Sequence, residues 1–225
     1  MRGLGLYLSN GPSYMYKKYF EYCMFVGTTA QAIDVLPLQS DIKSWSWEEY
    51  TQKVAVKLCE FPELDVTRVL KLYPTCVETP EYQYTSMASD VRLSFPNDEL
   101  AYNMHKSFKS PIYRYVSTSR PQVPTELFGV ALKARYEAHG WDLYGFFGAI
   151  KELYTPTKAD DDFETTIRRE IIHFAKYGTP YSKSWKSFPR RTALMDSQLG
   201  IVHSFQRKQW KFWSKTGLYA YAWKN

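Results

Sequence analysis

One histidine stands in a setting suited to proton transfer: His139, between Ala138 and Gly140 and ahead of the stretch Trp141-Asp142-Leu143-Tyr144-Gly145-Phe146-Phe147-Gly148. Small neighbours leave an imidazole uncrowded, which suits it to act as a general base. Such a base needs a nucleophile to activate, yet none of the 11 glycines belongs to a Gly-x-Ser-x-Gly elbow. Glu137, two residues before the histidine, reads as a solvated charge and is the first alternative acid to test. His173 lies between Ile172 and Phe174 in a helical stretch, and His105 and His203 have no partner at metal-ligand spacing. Cys23, Cys59 and Cys76 form no CxxC pair, so neither a zinc site nor another cofactor is expected.

The chain around this base has the size and composition of a single folded domain spanning residues 1–225. Hydrophobic content of 44% and aromatic content of 17% suffice for a packed core. The 19 tyrosines call for many half-buried sites, where an apolar body and a polar tip are both used. The formal charge of +6 comes as short basic pairs such as Lys17-Lys18 and Arg190-Arg191, with acidic residues interleaved. That dispersion reads as a solvated surface and argues against a nucleic-acid partner. No apolar run approaches the ~20 residues of a membrane span. Neither a signal-peptide core after Met1 nor an Asn-x-Ser/Thr sequon is present, which leaves localisation open.

The elements that must position His139 follow from local patterns. Residues 23–29 form a short β-prone run. Ser44 to Leu58 predicts a helix with Glu48 and Glu49 in its first turn, and Asp65 caps a second helix that Pro74 ends. Ser86 to Leu93 and Asn97 to Phe108 read as two helices divided by Pro96. The near-alternation of residues 112–116 predicts a strand. A long helix opens on Asp160-Asp161-Asp162, buries Ile167, Ile171, Phe174 and Ala175, and stops at Gly178 and Pro180. Two short strands, Thr192 to Met195 and Ile201 to Ser204, precede a last amphipathic helix through Trp210 and Trp213. Strands interleaved with helices define an α/β class.

Four patterns in order carry a family resemblance over about Gly5 to Trp213. They are Ser89-Asp90 followed by Pro111-Ile112-Tyr113-Arg114-Tyr115; the His139 stretch; Phe174-Ala175-Lys176-Tyr177-Gly178-Thr179-Pro180 with Trp185; and Phe212-Trp213 near the end. Together they resemble the C-terminal half of type-B carboxylesterases and cholinesterases. The resemblance implies the C-terminal portion of an α/β-hydrolase fold, with few strands, several packing helices and the N-terminal half of the sheet missing. The activity it implies is hydrolysis of carboxylic esters by a Ser-His-acid triad, with His139 as base.

The resemblance also identifies what is lacking. The family's serine elbow and oxyanion loop lie upstream of the matched segments. Register counted from Gly27 puts Ala32 where the triad acid stands, and Asp34, two residues on, is the nearest carboxylate able to substitute. The chain alone is therefore expected to be inactive, with a small-molecule carboxylic ester as substrate only of a complete domain. The alternative is a noncatalytic cholinesterase-like interaction or adhesion protein. A disulfide common among these relatives maps onto Phe95 and Trp210, suggesting an aromatic contact in its place. Asp90 is expected to have a structural role, with Arg207 as its partner. An exposed sheet edge and the C-terminal helix are left as surfaces for a protein partner, and the isolated chain is expected to be poorly soluble.

Overall fold

The computed structural model describes residues 23–33, 41–59, 61, 64–129, 133–203, 205 and 207–216. A four-stranded sheet runs in the order β1 (Met24–Thr29), β2 (Ile112–Ser117), β5 (Thr192–Met195), β6 (Gly200–Val202). The first three strands are parallel and β6 is antiparallel to β5. A small antiparallel ribbon, β3 (Thr125–Glu126) with β4 (Lys133–Ala134), was not anticipated from the sequence. The architecture is α/β, as expected.

Helices cover both faces of the sheet. On one side α1 (Trp47–Leu58), α2 (Val66–Leu72), α3 (Pro80–Ser89), α4 (Phe95–Ser107) and α7 (Arg207–Thr216) share a core containing Tyr50, Val54, Val69, Met87 and Trp213. On the other, α5 (Trp141–Phe147) and α6 (Lys158–Tyr177) enclose Trp141, Ile150, Phe163, Ile167 and Met195. Fully burying an aliphatic or aromatic side chain of this size contributes about 1.5–3 kcal/mol, so each layer is held mainly by its few largest side chains.

Local chemistry fixes the helix starts. Ser46 and Glu49 form a reciprocal capping box at α1, and Asp65 accepts the Thr67 N–H at 2.9 Å to open α2. The start of α6 is capped by Thr157, whose hydroxyl accepts the Asp160 N–H at 3.4 Å, while Asp160 accepts the Thr157 N–H at 2.9 Å. On α6 the buried face begins with Phe163 and continues through Ile167, whereas Ala175, expected inside, is exposed.

The structure adds to or departs from the sequence reading in three places. The two helices expected around Pro96 form one continuous rod from Pro80 to Ser107, joined by a π turn over Asp90–Ser94. There the Phe95 N–H bonds to the Asp90 carbonyl. This widened turn shifts the hydrogen-bond ladder just before Pro96, the second residue of α4. The run Trp141–Phe147, given no element from the sequence, is a helix bounded by Gly140 and Gly148, both in the left-handed region. Finally, β2 is buried on both faces, as a central strand must be, and even Arg114 is only 1% exposed.

Candidate functional site

The chain leaving β1 and the chain entering α5 meet at the C-terminal end of the sheet. After Thr29, the Ala30 N–H bonds to the Ser117 carbonyl at 2.9 Å and the Gln31 N–H bonds to the Glu137 carbonyl at 3.0 Å. Gln31 and Ala138 form a parallel bridge. One residue further along each segment stand Ala32 and His139. The bridge thus brings the two segments together, with Ala32 buried and His139 exposed just beyond it.

Each segment is pinned by its own neighbours. The buried Gln31 side chain donates to the Ser86 hydroxyl, and the Ile33 N–H bonds to the Ser89 hydroxyl at 3.0 Å, so α3 holds the turn after β1. Ser86 and Ser89 share a helix face at a spacing of three, a signal present in the sequence but passed over there. On the other segment, Ala138 and Trp141 are fully buried, and the Trp141 indole N–H donates to the Ser119 hydroxyl at 3.3 Å. Gly140 has φ 77°, and the Phe128 ring occupies the place where a Cβ would fall, 2.3 Å away. Glycine is required there by conformation and by packing, beyond leaving the imidazole uncrowded. His139 itself is exposed, between two buried residues.

The sheet reaches this corner through Tyr115, whose hydroxyl donates to Asp142 at 2.8 Å. Burial, reinforced by the Asp142 charge, holds the Tyr115 phenol well above its usual range. Glu137 is half-buried and contributes its main-chain carbonyl to the bridge. The Tyr82 phenol is raised first by burial and then by the Glu137 charge. Asp34 lies outside the described residues. Phe128, against Gly140, and Leu143 and Phe147 on α5 are exposed apolar residues.

The remaining candidate residues belong to the helical layer. The carboxylate of Asp90 accepts the Tyr73 hydroxyl at 2.7 Å, and that hydroxyl accepts the Trp213 indole N–H at 2.8 Å. Burial raises Asp90 to about 7, against the Tyr73 hydrogen bond and the Arg114 charge. Arg114 pairs with Asp98, itself raised to about 6 by burial against the same guanidinium. Arg207 opens α7, and its side chain lies outside the described set. Phe95 and Trp210 line a common void of about 10 Å³ with Asp90, Ser94 and Asp98. Glu170, fully buried on α6, accepts the Ser182 N–H at 3.0 Å and pairs with Arg169, a role its sequence setting did not reveal.

No protein-family model matches the chain, and no curated protein is similar to it in sequence. A solved structure described as "thermophylic PNB esterase" matches it with a TM-score of 0.57 at 21% identity, over 84% of this chain. The chain spans 38% of the length of that structure. Its fold is therefore similar to part of an α/β-hydrolase esterase, and this likeness establishes the fold alone.

Proposed function

We propose that the chain forms the base-bearing portion of an esterase-type α/β-hydrolase site of the type-B carboxylesterase and cholinesterase kind, with His139 at the base position and Ala32 at the acid position. The observation that supports this reading is the Gln31–Ala138 bridge, which joins the two segments one residue before those positions. In such a site the imidazole takes the proton of a serine attacking the ester carbonyl, and a facing carboxylate orients the ring and stabilises the imidazolium. A methyl group does neither. With Ala32 opposite and no serine elbow in the sequence, the chain alone turns over no ester. A small carboxylic ester becomes its substrate only when the rest of a hydrolase domain completes the site. Ala32 also favours a second reading, a noncatalytic cholinesterase-like interaction or adhesion protein, because a buried alanine beside the base removes the acid without disturbing the frame.

Purified chain assayed with short-chain p-nitrophenyl esters should show no turnover above buffer; turnover abolished by His139→Ala would overturn the expected inactivity. Joining the chain to the serine-bearing half of an esterase of similar fold tests the assigned positions. Hydrolysis should require Ala32→Glu and disappear with His139→Ala. A folded chimaera that stays inert with Ala32→Glu would sink the assignment.

A further inference from the structure

Basic residues that are dispersed in sequence converge at the end of the sheet opposite His139. That end is where β1, β2 and β5 begin. α4 and α6 both finish there: residue 178 lies against Cys23 at the start of β1, and the Phe188 N–H bonds to the Ile112 carbonyl at the start of β2, at 2.7 Å. The His105 ring, near the end of α4, sits 6.3 Å from the Phe188 ring. The segments that build this end, 105–111 and 176–191, contain no Asp or Glu. Lys106, Lys109, Lys176, Lys183, Lys186 and Arg190 are all exposed there, and among the described residues none has a carboxylate partner.

Complementing helix dipoles accounts for Lys106 and Lys176, which lie in the last turns of α4 and α6. It does not account for Lys183, Lys186 and Arg190, which lie beyond any helix. Those three are spaced along a loop whose intervening anchors are fixed: Trp185 is 2% exposed and packs on Phe25 with ring centres 5.1 Å apart. The loop thus displays its charges on a rigid frame. Beside it Tyr177 and Tyr181 are 68% and 53% exposed, and Ile172 is also exposed. Rings with an apolar body and a polar tip, next to lysines on flexible stems, are the composition of a surface that meets lipid headgroups.

We propose that this end of the molecule docks on an anionic lipid surface. The charges are mostly lysines, point charges without the forked geometry that reads bases or phosphates two at a time. They cover the end of an α/β layer instead of following one helix or strand into a groove, an arrangement that suits a plane of headgroups better than a nucleic acid.

Flotation of the full chain with vesicles tests this, since aggregates sediment and only bound protein rises. The chain should float with phosphatidylcholine vesicles containing phosphatidylserine, remain behind with phosphatidylcholine alone, and be released near 1 M salt, where screening shortens to about 3 Å. The triple variant Lys183→Glu, Lys186→Glu, Arg190→Glu should lose partitioning by well over about a hundredfold. The glutamine versions of the same three should lose less, and Lys158→Glu, at the opposite end of α6, should change it little. Circular dichroism confirms that each variant retains its helices. Equal binding to neutral vesicles, unchanged flotation of a folded triple variant, or displacement from anionic vesicles by a single-stranded oligonucleotide would each overturn the proposal.

Discussion

Asp90 is a carboxylate kept out of water, and its protonation makes it a pH-sensitive part of the helical core. Its pKa, raised to about 7 by burial, lies above the ~3.9 of an unfolded aspartate, so between these values the native state holds a proton that the unfolded chain has released. The stability this supplies is full below the unfolded pKa and is lost as pH rises through the folded one. The melting temperature is expected to fall from about pH 4 to about pH 7, and Asp90→Asn to flatten that decline; an unchanged slope in the variant would rule it out. Gly27 offers a second single-residue test, because the Tyr115 ring lies 1.9 Å from where its Cβ would be. Gly27→Ala should cost about 1–3 kcal/mol in urea unfolding, the usual range for overpacking. The positions proposed for His139 and Ala32 are legible through the family resemblance, and the glycine at 140 through its residue type. The positive φ of Gly140 and the serines that brace Gln31 are not, because they depend on which segments become neighbours.

Elements were legible where their ends carry chemical signals and obscure where two signals conflict. Ser46 and Asp65 open the helices that their side chains can cap. Pro96 misleads because the rule for proline assumes a regular α-helical ladder, and the π turn before it supplies a different one. In α5, Gly140, Gly145 and Gly148 suggest a turn. Packing decides otherwise, since the Phe163 ring lies 2.4 Å from where a Cβ on Gly145 would stand, drawing α5 tightly onto α6. The Thr157 cap gives a prediction for a whole element: Thr157→Ala should destabilise the protein by about 1 kcal/mol in denaturant titration, with loss of protection from hydrogen exchange concentrated in the first turn of α6. Uniform loss across the helices would argue against a local capping role.

At the scale of the whole molecule, the sheet ends on one side at β1, which among the described residues pairs only with β2 and is half-buried over most of its length. An open parallel edge is a template for further strands. The isolated chain is expected to self-associate, with a sedimentation coefficient that rises with concentration; a cooperative melt of a monomer would show the edge to be self-sufficient. The α/β class is legible from interleaved strands and helices, whereas strand order and direction depend on long-range pairing that periodicity does not encode. The bridge from Gln31 to Ala138 carries one more consequence. Its hydrogen bond, like its pairing, is made by main-chain atoms, so the meeting of the two segments owes nothing to the side chain at position 32. Loss of an acid there would leave no scar on the backbone, and its recovery would need none repaired. A single base change separates some alanine codons from glutamate codons, so on the proposed reading the acid position lies one mutation from a carboxylate.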